Sequence, residues 1–136
     1  VLARCKISVT VPASDATSVA MLESMACGLA VVASDLPANR QWIDPELLVS
    51  AGEAPALAQV LQRLASDDAW ARKAGERNAE RIALVKQMHR LLYRKGLRLD
   101  EAVQQIGALR AAQPQSGQDI AMRLDFLAAA SRGIVR

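Results

Sequence analysis

Ser14, Asp15, Thr17, Ser18, Val19 and Glu23 form the densest group of chemically useful residues in this 136-residue chain. They fall in SDATSVAMLESMACG, Ser14–Gly28, where polar side chains crowd the start of an apolar-periodic stretch. Such side chains satisfy the orphan backbone N–H groups of a helix N-terminus. Those N–H groups and the helix dipole also favour an anion, and Thr17, Ser18 and Val19 occupy that position. A carboxylate one turn further along, Glu23, can accept from two neighbouring hydroxyls. On or beside a packed face it needs a partner. Asp15 reads from its position as a helix cap.

The elements that must hold these residues follow from periodicity. Val19, Leu22, Met25 and Ala26 recur at helical spacing and predict one buried face. Gly28 stops the helix, and Ala30–Ala33 is the short apolar run expected of a strand covered on both faces of a parallel sheet. Upstream, Lys6–Val11 alternates, with Ile7, Val9 and Val11 on one face, and reads as a strand ending at Pro12. Asp35–Asp44 reads as a loop positioned by Pro37 and Trp42, with Asn39 and Arg40 as candidate buttresses. Leu47–Val49 is a candidate third strand. Gly52–Pro55 opens a helix that lays Leu57, Val60, Leu61 and Leu64 on the sheet. Ser66-Asp67-Asp68 caps another, whose periodic residues Trp70, Ala74, Ile82, Val85 and Leu92 predict one long or kinked helix to Lys95-Gly96.

The polar turn, the helix with its glutamate, "MACG", "VVASDLP" and "NRQWI" together resemble the nucleotide-sugar-binding half of the retaining GT-B glycosyltransferases of the group-1 type, over roughly Leu2–Ile82. That family carries an acidic residue and, after seven intervening residues, a glutamate; here these are Asp15 and Glu23. The first is more usually a glutamate followed by Gly-Phe-Gly, and Asp15-Ala16-Thr17-Ser18 departs from that form. The resemblance implies that Glu23 binds ribose hydroxyls, that Asp15 faces the transferred sugar, and that Ser14 and Thr17–Val19 line the donor site of a UDP-sugar. It implies no cofactor. The family's diphosphate-gripping arginine and lysine, and its acceptor domain, match nothing in this chain.

Beyond Gly96 the pattern changes from strand–helix alternation to helices alone. Asp100 is placed to cap a helix bearing Val103, Ile106 and Leu109. Gln113–Gly117 is a break, and a last helix, about Gln118–Ser131, buries Ile120, Leu124 and Leu127 before Arg132-Gly133. "LLYRKGLRLDEAVQQI" and "LDFLAAASRGIVR" resemble the C-terminal helical domain of the UDP-N-acetylglucosamine O-acyltransferases of lipid A synthesis, over roughly Val85–Arg136. That resemblance implies contact with acyl carrier protein and assembly as a homo-oligomer, a trimer. The family's β-helix and catalytic histidine have no counterpart here, and His89, the chain's one histidine, does not sit at the catalytic position.

Composition sets the remaining bounds. Hydrophobic content of 51% argues for a folded chain. Cys5 and Cys27 make neither a disulfide framework nor a zinc site; both read as small core residues in a reducing cytoplasm. No apolar run approaches a membrane span and no signal peptide is visible. Residues 1–81 carry eight Lys/Arg against ten Asp/Glu, whereas residues 82–136 carry nine against four. A basic second half suits an acidic partner or is a solvated helical face; the shortage of aromatic residues argues against nucleic acid. Trp42 and Tyr93 read as packing residues, and Arg132 and Arg136 as a solvated terminus or contacts to an acidic partner.

The expectation is an α/β, partly Rossmann-like sheet (the GT-B C-terminal half) over residues 1–84, then an all-helical segment over 85–136. The chain opens at Val1 without a methionine, which predicts a fragment, and two partial domains joined near Ala79–His89 predict a natural rearrangement, a truncated fusion or a designed chimera. The expected function is a donor half-site for a nucleotide sugar, incomplete as an enzyme. The alternative is a helical interaction module contacting acyl carrier protein.

Overall fold

Ala30–Ser34, every residue buried, form β2, the middle strand of a three-stranded parallel sheet. The computed structural model describes residues 2–112 and 117–129. β1 (Ile7–Thr10) lies on one side of β2, with Ile7 opposite Ala30. β3 (Leu48–Val49) lies on the other, with Leu48 opposite Ala33. A central parallel strand is covered on both faces by its crossover segments, which is why Ala30–Ala33 reads as an uninterrupted apolar run. β1 is an edge strand. Ile7 and Val11 pack against the core as expected, while Val9, predicted to share their face, is 45% exposed.

α1 (Val19–Ala26) joins β1 to β2. Its buried residues are Met21, Ser24 and Met25, with Leu22 half-buried beside them. The expected face is therefore corrected: Val19 is 69% exposed and Ala26 is exposed. The reason is a serine in the core. Ser24 Oγ donates to the Ala20 carbonyl at 2.9 Å and meets Ser8 Oγ on β1 at 2.9 Å, so a polar residue occupies a position that apolar periodicity does not mark. Gly28 ends the element at φ +74°, a conformation glycine adopts without strain. Cys5 and Cys27 are both exposed, contrary to expectation, because one precedes β1 and the other is the C-cap of α1, off its packed face.

The segment from β2 to β3 is more ordered than a loop. It contains α2 (Pro37–Arg40) and a 3-10 turn at Pro45–Leu47. α3 (Ala54–Ser66) follows, with Pro55 in its first turn and Leu57, Val60, Leu61 and Leu64 on the core. α4 (Asp68–Tyr93) is a continuous 26-residue helix. Asp67 caps it, Oδ1 accepting from the Trp70 N–H at 2.9 Å. Gly75 and Asn78, one turn apart on α4, meet the α1–β2 turn. Asn78 Nδ2 donates to the Leu29 carbonyl at 2.8 Å, and Gly75 lies so close to Gly28 that a side chain has no room.

The chain divides into two compact units, Val1–Ile82 and Ala83–Arg136. The second unit comprises the remainder of α4 with α5 (Leu99–Ala112) and α6 (Gly117–Ala129), around a core of Leu84, Met88, Ile106 and Ile120. Glu101, not Asp100, caps α5: its Oε2 accepts from the Arg98 N–H at 2.9 Å, the glutamate half of a capping box. Asp100 lies inside the first turn and pairs with Arg98 Nε at 3.3 Å. The predicted break at 113–116 and helix end at Arg132-Gly133 lie outside the described residues, as do Ser131 and Arg136. Among the described residues, no helix is long and apolar enough to cross a membrane.

Candidate functional site

Parallel strands put all their C-terminal ends on one edge of the sheet, the edge where open α/β sheets bind ligands. β1 delivers Pro12 and the polar turn there, β2 delivers Ser34 and Asp35, and β3 delivers Val49. Hydrogen bonds tie the three exits together. Ser34 Oγ donates to the Pro12 carbonyl at 2.6 Å, Asn39 Nδ2 donates to the Ser34 carbonyl at 2.9 Å, and the Asp35 N–H donates to Val49 at 2.8 Å. Asn39 is buried and its Oδ1 makes no hydrogen bond among the described residues. Asn39 is thus the buttress the sequence suggested, and Ser34, hidden at the end of an apolar run, is the tie it did not mark.

The polar turn itself is open. Ser14 and Asp15 are exposed, and Thr17 and Ser18 are half-buried. The cap is Ser18, extended at φ −68° and ψ 126°, with Oγ accepting from the Met21 N–H at 3.4 Å. Asp15 does not cap α1 and stands in solvent. Leu22 N–H closes the first helical turn onto the Ser18 carbonyl at 3.1 Å. The N–H groups of Val19 and Ala20 remain for a guest. Glu23 is exposed and lies on the Val19 side of α1, about 6 Å further along its axis. The structure therefore brings Thr17–Val19 and Glu23 onto one open strip.

Positive charge at this edge is sparse. Arg40 reaches Asp35 through Nε at 2.7 Å and Nη2 at 3.3 Å, a forked ion pair on the surface. The hydrogen bond from Arg40, then its charge, hold the Asp35 carboxyl below its ordinary value, and the Arg40 guanidinium is correspondingly raised. The pair props the α2 segment and leaves little net charge to meet an anion. Among the described residues, no cluster of three or more His, Cys, Asp or Glu could hold a metal ion.

The second unit presents a different surface. Met88, Leu92, Ile106 and Leu127 line an apolar groove of about 200 Å³, rimmed by Tyr93 and by Phe126, which is 70% exposed. His89 and Tyr93 face each other there with ring centroids 4.9 Å apart. Beside it Lys86 and Arg90 on α4 and Arg94 just past its end recur every four residues, all exposed and none in an ion pair among the described residues.

Comparison with known families also divides the chain in two, at residues 67–72, ahead of the boundary between the structural units at Ile82. Residues 1–67 match the family model for group 1 glycosyl transferases, and residues 72–135 match domain 2 of the UDP-N-acetylglucosamine O-acyltransferase model. Each half resembles a different transferase. The curated relatives belong to the second half. The acyl-[acyl-carrier-protein]–UDP-N-acetylglucosamine O-acyltransferase of Leptothrix cholodnii is 56% identical over 59 residues, 42% of this chain and 22% of that protein. The enzymes of that name from Verminephrobacter eiseniae and Paracidovorax citrulli are 55% identical over 58 residues and 49% over 59, each match covering 43% of this chain and 22% of the relative. The chain thus spans about a fifth of the length of these relatives. No solved structure matches it.

Proposed function

We propose that residues 1–84 form part of a Rossmann-like, nucleotide-sugar-binding half of a group-1 glycosyltransferase and contribute part of a UDP-sugar donor site. In this reading residues 85–136 are an acyltransferase-type helical segment fused to it. The observation that carries the proposal is the open strip on α1. Two unclaimed N–H groups at its start suit the diphosphate, and Glu23, one turn on, suits the ribose hydroxyls. Asp15, exposed beside that start, faces the transferred sugar. The consecutive strand order 1-2-3 is that of one half of a doubly wound sheet.

Magnitudes say the half-site binds weakly. An exposed helix N-terminus contributes about 0.3–1 kcal/mol to an anion, and hydrogen bonds to a charged carboxylate about 1.5–3 kcal/mol. Together these correspond to a Kd on the order of 1 mM or weaker. Catalysis asks for more, because stabilising the charged leaving group is a large term and Arg40 is spent on Asp35. The chain alone is therefore an incomplete enzyme; multiple-turnover sugar transfer by the purified protein would refute that. The first test is calorimetric titration with UDP-N-acetylglucosamine beside Glu23→Ala. Saturable binding weakened about tenfold or more by the substitution supports the donor strip. No binding at several times the expected Kd, with the chain folded, removes it.

A second reading is favoured by the row Lys86, Arg90 and Arg94, in no ion pair among the described residues, beside the apolar groove. Here the helical unit is an interaction module that docks acyl carrier protein or assembles as a homo-oligomer, a trimer. Salt-sensitive binding of acyl carrier protein, lost in Arg90→Glu and accompanied by no nucleotide-sugar binding, would select it.

A further inference from the structure

The edge of the sheet opposite the α1 N-terminus, where β3 begins and α4 starts, holds a polar cleft of about 320 Å³ that the donor strip does not use. Asp44 and Glu46 form one wall, Arg63 at the end of α3 another, and Trp70, Lys73 and Arg77 on α4 the third. The spacing of the last three, at i, i+3 and i+7, puts them on one helix face. Three cations thus meet two carboxylates, an excess of one positive charge.

Two of the cations are already held in place. The Arg63 guanidinium lies over the Trp70 ring, 3.9 Å from its centroid, and meets Glu46 Oε2 through Nη1 at 3.1 Å. Arg77 meets Asp44 Oδ2 through Nη1 at 3.0 Å. Each guanidinium engages its carboxylate through a single nitrogen, so most of its five donors remain for another acceptor. Lys73 makes no ion pair among the described residues. It also lies one turn from Arg77, a like-charge spacing that is unfavourable until an anion bridges the two.

We propose that this cleft is a binding site for a phosphate group, either free or carried as the monoester of a small organic molecule. A phosphate monoester brings nearly two negative charges and three strong acceptors, which matches the two fixed guanidinium groups and the unneutralised ammonium. The fixed arginines lower the ordering cost of binding. The volume exceeds that of one phosphate group and leaves room for an organic portion beside Trp70.

The test uses the full chain, isotopically labelled, titrated at physiological ionic strength with inorganic phosphate in one arm and glucose 1-phosphate in the other. Sulfate is the control for a generic oxyanion. Resonances of Trp70, including its indole N–H, and of Arg63 and Arg77 should move saturably and give one Kd. Lys73→Gln, at an exposed position with no ion pair among the described residues, should raise that Kd about tenfold without altering the fold. Tighter binding of glucose 1-phosphate assigns an esterified ligand, and equal binding assigns the free ion. The proposal is overturned by shifts that do not saturate, by equal response to sulfate, or by a Kd unchanged in Lys73→Gln. Shifts confined to Ser18–Met21 also overturn it, since they would report the donor strip instead.

Discussion

Gly75→Ala would place a methyl carbon 2.0 Å from the Gly28 carbonyl oxygen, 2.9 Å from the Gly28 carbonyl carbon and 3.4 Å from the Leu29 carbonyl carbon. All three are backbone atoms, so no rotamer change relieves the clash. α4 must withdraw from the α1–β2 turn by about 1 Å or more to restore ordinary contact. That withdrawal stretches the 2.8 Å bond from Asn78 to the Leu29 carbonyl towards breaking and leaves a buried carbonyl unsatisfied. Overpacking costs about 1–3 kcal/mol and the unsatisfied group about 1–3 kcal/mol. Alanine returns about 1 kcal/mol through helix propensity. The net expectation is a loss of roughly 1–5 kcal/mol in the first unit, and the central value of about 3 kcal/mol lowers Tm on the order of 10–25 °C for a unit of this size. Trp42 and Trp70 both lie in that unit, so tryptophan fluorescence during thermal and urea unfolding reads it selectively. Gly107→Ala in α5, with nothing within 4 Å of the added carbon, is the matched control and should stabilise by about 0.5–1 kcal/mol. A Gly75→Ala protein as stable as the parent would refute the close approach and, with it, the docking of α4 on the turn that ends α1.

Two further outcomes follow from the loop ties and the surface pairs, beside the Glu23 and Lys73 titrations. Ser34→Ala removes the 2.6 Å bond to the Pro12 carbonyl, so the first unit should lose about 1 kcal/mol in urea titration. UDP-N-acetylglucosamine binding should weaken as well, although Ser34 touches no ligand, because the turn before α1 is then held less firmly. Asp35 supplies a pH test. Its folded carboxyl is held below the ordinary 3.8 by Arg40, so the unfolded chain takes up that proton first. Its stabilisation is fully present above the ordinary value and is lost as pH falls through the lowered one. The stability difference between the parent and Asp35→Asn should hold at pH 6 and shrink below about pH 4. Asp68, lowered by its hydrogen bond from Lys6, adds to the same acid limb. A difference that grows on acidification would contradict the sign of the pairing.

Periodicity and turn chemistry exposed most of the first unit. Gly28 as a stop, Asp67 ahead of α4 and the Leu57–Leu64 face of α3 are local signals, and the structure bears each of them out. The α1 face was illegible for a physical reason. Ser24 is buried because Ser8 and the Ala20 carbonyl satisfy its hydroxyl, and no apolar count can reveal a partner sixteen residues away. Val19 misled in the other direction, an apolar residue placed in solvent at a helix start. The cysteines misled similarly: small-residue statistics favour the core, while a C-cap and a pre-strand position put both outside. Gly75, which helical periodicity does not mark, is the position where two backbones touch. The Ser34–Asn39 tie was equally hidden, since it depends on strand exits that are adjacent only once the sheet forms.

The same hydrogen-bond accounting limits what the α1 strip can do. Of the first four N–H groups of the helix, Leu22 and Met21 are taken by the Ser18 carbonyl and hydroxyl, leaving Val19 and Ala20. The Met21 bond is long at 3.4 Å, so an incoming oxyanion can capture that donor too at small cost. Three backbone donors and half a helix charge position an anion without neutralising it. Arg40 cannot complete the task while Asp35 holds it in a fork, since drawing it away would strip the pair that props α2. If the strip does take the diphosphate proposed for it, the remaining positive charge must come from outside the strip. Adding a cation at an exposed strip position makes that argument testable. Ala16→Lys, beside the open N-terminus, should tighten UDP-N-acetylglucosamine binding several-fold at low salt and lose the gain at 0.5 M salt. No gain at low salt would mean that the anion does not sit at the start of α1.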